Sequence, residues 1–289
     1  MITHTWTSPD GEVVDLSTPS SGLFVTDGGI EGMGDAATIE YVRSSPALDG
    51  QRLGGISTGP RDAFWPVAIH AGMTDWKANQ ERFWRSLIPG EYGLWTVTHD
   101  GVSRSLECRY APDAGKPYTF DPSQRGIEVA GISLIADKPF WRGPLSSKVF
   151  QTAADTGTFY APPGSNFVFT IGSASTVDGA TISNPGDTPA WPTLTVYGPA
   201  VSFSINVGGS VISATLSLAA GESLVIDTNP TVQVARKWVA GVGTIVPFFN
   251  FSSIQFAQIP RGGSVPVDIV LNGAGSVQVA FFPQYRRAF

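Results

Sequence analysis

The sequence predicts a mainly β protein of two domains, with one amphipathic helix in the first domain. Three observations lead to this prediction. The chain has 289 residues, which is long for one compact domain. Apolar and polar residues alternate through most of its second half. Its 33 glycines and 22 prolines supply the tight turns that connect short strands.

The first domain is assigned to residues 1–145 and is expected to be a β-barrel or a sandwich. The stretch TIEYVRSSPALDGQRLGGIS indicates two extended segments around a turn at Asp49-Gly50. AFWPVAIHAGM predicts a further strand, and GLWTVTHDGVSRSLECRYA predicts a hairpin that turns at Asp100-Gly101. ADKPFWRGP interrupts the alternation and marks the exit from the domain.

A helical period replaces the alternation in TDWKANQERFWRSLIPG, which predicts an amphipathic helix over residues 75–88. Thr74 or Asp75 can cap its start, and Pro89-Gly90 can end it. We expect the apolar face of this helix to pack against a sheet rather than to bind a cofactor. The apolar residues on this face are Trp76, Phe83, Trp84, Leu87 and Ile88.

The second domain is assigned to residues 146–289 and is expected to be an antiparallel β-sandwich. TLTVYG, VSFSINV and VPVDIVL each place apolar residues on one face and polar residues on the other. About eight to ten such strands with regular turns are typical of a sandwich. No helical period interrupts them.

A proline-rich stretch, NPGDTPAWPTLTVYG, leads into one of these strands. Asn184 can hydrogen-bond forward to its own backbone, Gly186 can take a positive φ, and Asp187 can accept backbone N–H bonds. Pro189 and Pro192 lack an N–H, which favours an edge strand or a bulge. The stretch is interpreted as a structural corner rather than a ligand loop.

Charge is distributed unevenly between the two domains. Residues 1–145 carry 12 Lys+Arg and 18 Asp+Glu, whereas residues 146–289 carry 6 of each. Neither half has a basic stripe, so stable nucleic-acid binding is not expected. Charged residues make up only 15% of the chain, which predicts that other chains cover part of its surface.

No motif in the sequence points to catalysis, to a cofactor or to a metal. The single cysteine, Cys108, excludes a disulfide framework within the chain, and the three histidines lie far apart. The glycine-rich segment 28–35 does not sit between a strand and a helix, as a nucleotide loop would. We therefore expect no enzyme. The amino terminus has no basic start followed by an apolar core, and no apolar run is long enough to span a membrane, which predicts a soluble protein.

Two functions of other classes stay open, namely carbohydrate binding and cell-wall hydrolysis. A module that binds carbohydrate on a cell surface would need an aromatic platform, although packing against the core or another subunit explains the same residues. The aromatic candidates are Trp191, Tyr197 and Trp238. A cell-wall hydrolase would need paired carboxylates in a cleft. The carboxylate candidates are Asp187, Asp227 and Asp268.

The order of these segments resembles the distal tail (Dit) proteins of long-tailed, non-contractile phages, the siphophages. In the first half the resemblance lies in DWKANQERFWRSLIPG, in the hairpin GLWTVTHDGVSRSLECRY and in the closing ADKPFW. In the second half it lies in NPGDTPAWPTLTVYG and AAGESLVIDT, which are similar to recurrent segments of the galectin-like domain of these proteins.

The resemblance implies a minor structural protein of the virion, located at the tail tip or baseplate and made in the cytoplasm of a bacterial host. It implies a homo-oligomeric ring, usually a hexamer, whose first domains surround the DNA channel. The implied partners are further copies of the chain, the tail tube or tail terminator protein, the tail-associated hub protein and the tape-measure protein. DNA would pass through the channel without being bound specifically, and no membrane contact is implied.

Overall fold

The computed structural model describes residues 2–26, 28–45, 47–72, 75–112, 121–152, 168–171 and 176–289. It is mainly β, as predicted, with a barrel-like sheet followed by sandwich sheets. Two compact units are present: Met1–Gly143 with Tyr285–Phe289, and Pro144–Gln284. The second unit is thus an insertion in the first. The predicted division after residue 145 missed this return, because it assigned the end of the chain to the second domain.

The first unit is built on an antiparallel sheet that nearly closes into a barrel. The strands of this unit are β1 (Ile2–Thr7), β2 (Val13–Asp15), β3 (Leu23–Val25), β4 (Thr38–Ser45), β5 (Leu48–Thr58), β6 (Arg61–His70), β7 (Tyr92–His99), β8 (Val102–Tyr110), β9 (Ile127–Ala136) and β10 (Trp141–Arg142). The main sheet has the order β2-β1-β7-β8-β9-β6-β3, and β10 adds to β8. The Val25 N–H donates to the Leu16 carbonyl at 2.8 Å, which links the two edges of the sheet.

The amphipathic helix is present as α1 (Trp76–Ser86), slightly shorter than predicted. Asp75 caps it, because its carboxylate accepts the backbone N–H groups of Lys77 at 2.8 Å and Ala78 at 3.1 Å. A second, one-turn helix, α2 (Pro122–Arg125), was not predicted. Its four residues are too few for a helical period to show in the sequence.

The buried face of α1 is partly polar. Phe83 and Leu87 are buried, whereas Trp76 and Trp84 are half-buried. Asn79 is buried as well, and its side-chain amide donates to the carbonyl of residue 70 at 2.9 Å. The helix is therefore fixed to the end of β6 by a hydrogen bond that an apolar stripe could not indicate.

Tryptophan side chains fill the interior of the barrel. The four indole rings pack edge to face, with centroids 5.3, 5.3 and 4.9 Å apart along the series, and each ring is at most 1% exposed. In order, they are Trp6, Trp65, Trp95 and Trp141. The Trp6 indole N–H donates to the Ser86 carbonyl at 3.1 Å, which fixes this ring to the end of α1. The barrel interior is a packed core.

The second unit is a sandwich of two sheets. Its strands are β11 (Ser146–Thr152), β12 (Val168–Ile171), β13 (Thr176–Ser183), β14 (Thr193–Tyr197), β15 (Ala200–Val207), β16 (Ser210–Leu218), β17 (Ser223–Asp227), β18 (Val234–Val239), β19 (Val242–Ile245), β20 (Phe251–Ile254), β21 (Ser264–Asn272) and β22 (Ser276–Phe281). One sheet has the order β12-β11-β22-β14-β17-β18-β19 and the other β13-β21-β15-β16-β20. Buried apolar side chains of both sheets form one core.

Two details differ from the predicted sandwich. The strands β11 and β12 pair in parallel, so the sheet is not wholly antiparallel. The strand β14 lies between β22 and β17, so it is neither an edge nor a bulge. That expectation was wrong because Pro192 precedes the first ladder residue, where its carbonyl accepts the Thr228 hydroxyl at 2.6 Å and its missing N–H costs no ladder bond. The chain ends beyond β23 (Gln284–Tyr285), which pairs with β10.

The proline-rich corner is held together by one buried amide. Asn184 is fully buried, and its Nδ2 donates to the carbonyls of Thr188 at 2.9 Å and Ile259 at 3.1 Å. Its Oδ1 accepts the N–H of Gly186 at 2.9 Å. Two of these bonds close the corner on itself, and the bond to Ile259 ties the corner to the loop before β21.

Gly186 has a different role from the one expected. Its φ is not positive, so the turn does not require the left-handed region. A Cβ at this position would lie 2.7 Å from the carbonyl oxygen of Gln284, closer than any side chain can approach. The neighbouring Asp187 is exposed, and its N–H donates to the same carbonyl at 2.8 Å. Close backbone packing, rather than φ, explains the glycine.

Gly93→Ala should destabilise the first unit. Its Cβ would lie 2.2 Å from Cη2 of Trp6 and 2.7 Å from the Thr7 carbonyl, inside the packed core. We expect the free energy of unfolding to fall by about 2 kcal/mol. Gly55→Ala is the control, because a Cβ on that strand glycine meets nothing within 4 Å. Chemical denaturation measures both variants, and equal midpoints would contradict the packing described.

Asn184→Asp should destabilise the second unit. The carboxylate cannot donate to the carbonyls of Thr188 and Ile259, and it places a charge in a fully buried position. We expect a loss of about 3 kcal/mol in the free energy of unfolding at neutral pH. The exposed Asn272, changed to Asp, should lie within about 0.5 kcal/mol of the wild type. A stable Asn184→Asp protein with unchanged thermal unfolding would refute this role.

Candidate assembly surfaces

The residues that could carry chemistry are dispersed. Across the described ranges, no group of three His, Cys, Asp or Glu side chains could hold a metal ion. His4 is buried, and burial lowers its pKa while its Nδ1 accepts the Trp95 indole N–H at 3.3 Å. His99 lies at an exposed turn, 3.6 Å from Asp100. Burial raises the pKa of Cys108 to about 12, so this thiol is no nucleophile near neutral pH.

The three carboxylates considered for hydrolysis lie on separate elements and are engaged in local structure. Asp227 ends β17 and accepts the Asn229 N–H at 2.9 Å. Asp268 lies on β21 in the other sheet and accepts the Asn206 amide at 3.0 Å. Asp187 belongs to the corner. No helix in the described parts of the chain is long and apolar enough to cross a membrane.

The most unusual surface is the hairpin formed by β4 and β5, which pair only with each other. Every residue of β4 is exposed, and the exposed fraction of the large apolar side chains on the two strands ranges from 45% to 58%. These side chains are Ile39, Tyr41, Val42, Leu53 and Ile56. An isolated two-stranded sheet is at best marginally stable in water. The hairpin therefore leaves apolar surface and strand edges uncovered in the part of the chain that the structure describes.

The register divides the hairpin into two faces. Val42 lies opposite Leu53 and Glu40 opposite Ile56, so one face carries three of the five exposed apolar side chains. Arg43 lies opposite Arg52 on the other face. That face also carries Ile39 and Tyr41, as the strand alternation requires.

The turn of this hairpin is not where the sequence indicated. Ser45 pairs with Leu48, so the chain reverses between them. Asp49-Gly50 instead forms an irregularity inside β5, where Gly50 takes a φ of 86°. Gly50 does adopt the left-handed backbone that suggested a turn, but it does so within a bulge.

A buried arginine anchors the base of the hairpin. Arg61 begins β6 and is 2% exposed. Its guanidinium donates to the carbonyls of Gly32, Pro139 and Arg286, each at 2.7 Å, and also to that of Gly34. Burial lowers its pKa, but the carbonyls supply the acceptors that a buried guanidinium needs. One side chain thus joins the segment before β4, the end of the barrel and the carboxyl-terminal segment.

The carboxyl-terminal segment is itself docked on the first unit. Ala288 is buried, and its N–H donates to the Met33 carbonyl at 3.0 Å. Arg287 forms an ion pair with Asp35 at 2.8 Å, and this hydrogen bond is the main reason that the pKa of Asp35 is lowered. The Arg104 guanidinium donates to the Arg287 carbonyl at 2.8 Å. The segment before the hairpin is therefore fixed by the end of the chain.

A cleft of about 350 Å³ opens at the base of the hairpin. Its lining includes Asp35, Thr38, Ile56, Thr58, Arg61 and Phe140. The guanidinium of Arg61 and the carboxylate of Asp35 are both engaged in the contacts just described. The cleft is a junction between the hairpin and the barrel, with no converging acid and base.

Two of the three aromatic residues considered for sugar binding share one row of the sandwich. Tyr197 and Trp238 both pair with Ser223, on either side of it, so all three face the same way. Tyr197 is 39% exposed and Trp238 is 37% exposed, whereas Trp191 is half-buried elsewhere. The Trp238 ring lies over Gly243, where a Cβ would be 3.0 to 3.1 Å from three ring atoms. The missing side chain thus lets the indole lie flat on the sheet.

Comparisons with known proteins identify the fold. No family model matches the sequence, and no curated protein matches it. Among solved structures, the SPP1 Dit (gp 19.1) protein, described as a paradigm of the hub adsorption apparatus of phages that infect Gram-positive bacteria, has a TM-score of 0.63 and 12% sequence identity. The alignment covers 98% of this chain and 99% of that chain.

The phage P2 baseplate in its activated conformation, solved with calcium and with strontium, also matches. Each of these two structures has a TM-score of 0.55 and 9% identity, over 97% of this chain and 98% of the matched chain. Across almost its entire length, the chain has the fold of a phage distal tail protein.

Proposed function

We propose that this protein is a structural component of a phage tail tip, where copies of the chain assemble into a ring. The fold supports this proposal, because it matches the SPP1 Dit protein from end to end rather than in one domain. A fold by itself does not define a function, so the argument depends on a surface suited to assembly. That surface is the β4–β5 hairpin.

The exposed surface of the hairpin is the observation on which the proposal depends. Its apolar side chains have no core to enter, and its outer strand edges have no partner in the described chain. Contact with a neighbouring copy would bury the apolar face and complete the sheet. The same hairpin meeting a different surface on the next copy is a heterologous contact, and such contacts close into rings when the rotation permits.

The finer assignments follow from the resemblance to distal tail proteins. We infer a hexamer that joins the tail tube or terminator to the hub protein and surrounds the channel for the tape-measure protein and DNA. The excess of six carboxylates over basic residues in residues 1–145 suits a passage that must not retain DNA. In this proposal the protein acts by holding its neighbours, without a chemical reaction.

Electron microscopy of the particle that contains this protein would test the location. We expect the copies to surround the tail axis at its tip, with the first unit on the inside. Copies that stand alone, without contact to one another, would overturn the proposal.

Leu53→Ser with Ile56→Ser should weaken self-assembly. Burial of one such side chain contributes about 1.5 to 3 kcal/mol, so the double variant should bind at least about a hundredfold more weakly. Sedimentation velocity over a concentration series measures this change. Val201→Ser with Val270→Ser is the control, because these strand residues of the second unit are 54% and 44% exposed. Hairpin and control variants that assemble alike would argue against the hairpin.

We propose carbohydrate binding by the second unit as an additional candidate function. The aromatic row supports it, because Trp238 lies flat over Gly243 with Tyr197 two strands away and Ser223 between them. The electron-rich face of an indole attracts the C–H groups of a sugar ring, and nearby hydroxyl groups can bond to the sugar. Tyr197 Oη already donates to Gln278 at 3.0 Å, which holds the phenol in place.

Trp238→Ala should weaken this binding. We expect the wild type to bind bacterial cell-wall glycans on an array, and the variant to bind at least about tenfold more weakly, because stacking on the indole is lost. Val239→Ala is the control, since this adjacent residue is also exposed. A wild-type protein that binds no glycan, or a Trp238→Ala protein that binds as well as the wild type, would dismiss the candidate.

A further inference from the structure

We propose that Arg43 and Arg52 form one electrostatic contact point of the hairpin, and that it binds carboxylates on a second copy of this chain. The inference rests on the proposed self-assembly. It adds the side chains that determine which surface of the neighbouring copy the hairpin meets.

The register places these two cations directly opposite each other on adjacent strands. Cβ atoms of directly opposed residues are about 4.5 to 5.5 Å apart, and like charges at that distance destabilise the strand pair. Both side chains are exposed. In the described parts of the chain neither guanidinium has an ion-pair or hydrogen-bond partner, so nothing offsets the repulsion within the monomer.

Several other arginines of the first unit have partners, although the exposed Arg85 on α1 has no ion pair in the described parts of the chain. Arg82 pairs with Glu12 at 2.6 Å, and Arg142 with Glu107 at 2.7 Å. The buried Arg61 is satisfied by carbonyl groups. A pair of unneutralised guanidinium groups on the one segment that already lacks a core indicates that its partner is anionic.

A second copy of the chain offers the complementary charge. Residues 1–145 contain 18 Asp+Glu against 12 Lys+Arg. Several exposed carboxylates of this unit form no ion pair in the part of the chain that the structure describes; they are Glu31, Asp62, Glu81 and Glu91. DNA fits less well, because two cations neutralise few phosphates and the surrounding unit repels them.

Apolar area and charge then have separate tasks on the hairpin. Both faces supply apolar area, which attracts without direction. One face also carries the paired arginines, which favour one register and one partner surface. Charge on an exposed rim acts mainly on the association rate and on specificity, and salt screens it.

The test uses two double variants. One carries both Arg43→Gln and Arg52→Gln, and the matched control carries both Arg43→Lys and Arg52→Lys. Both variants keep long polar side chains on exposed strands, so circular dichroism should show an unchanged fold. Sedimentation velocity is run at about 50 mM and about 500 mM NaCl, where the Debye length falls from roughly 14 to 4 Å. A fluorescent DNA duplex is titrated into each protein in parallel.

We expect wild-type assembly to weaken at least about tenfold in high salt. The glutamine variant should assemble about tenfold more weakly at low salt and lose most of this salt dependence, whereas the lysine variant should resemble the wild type. Equal assembly of the wild type and the glutamine variant, with the same salt dependence, would overturn this inference and leave the ring proposal standing.

Two further outcomes are also decisive. A wild-type chain that stays monomeric under all conditions would overturn the ring proposal and the arginine contact together. Arginine-dependent DNA binding without an effect on assembly would identify nucleic acid as the anionic partner and refute a contact with a second copy.

Discussion

Four tryptophan rings fill the interior of the first unit, and this packing determines where the protein can act. The centre of this barrel is occupied by the packed, buried rings of Trp6, Trp65, Trp95 and Trp141. The bond between Val25 and Leu16 joins the two edges of the main sheet, so these strands are not open templates either. In the proposed assembly the β4–β5 hairpin makes the contact, because it is the described element whose strands pair only with each other.

The β4–β5 hairpin can hold a neighbouring copy only if its base is fixed, and Arg61 fixes that base. Its carbonyl partners come from the segment before the hairpin, from residue 139 and from residue 286, so three distant parts of the chain meet at one guanidinium. Carbonyl acceptors keep this buried cation satisfied without a buried carboxylate, which would have to be desolvated as well. The docking of residues 285–289 also means that the inserted second unit is tied to the first at both of its ends.

The sequence predicted local features well because their causes are local. Strand alternation, the Asp75 cap and the hydrogen bond from Asn184 to its own turn depend on neighbouring residues. Features that depend on distant contacts could not be predicted. Alternation identified β4 and β5 as strands, but it cannot show that both of their faces stay exposed. Gly186 looked like a turn glycine, yet its constraint is a carbonyl 98 positions later, at Gln284. The tryptophans were visible in the sequence, but their convergence follows from the closure of the sheet.

In the proposed ring, the charge distribution would allow such a chain to expose apolar surface before it assembles. Free copies would repel one another through the negative first unit, which would slow random contact between apolar faces. The cationic pair on the hairpin reverses that repulsion at one place only, where carboxylates of a neighbour lie within reach. Apolar burial then supplies most of the binding energy, and the arginines select the orientation in which it is gained. An uncharged hairpin would bind any apolar edge, including that of an identical hairpin, and the product would be an open aggregate rather than a closed ring. Opposed like charges on a marginal hairpin are therefore a cost in the monomer that favours one assembly over others.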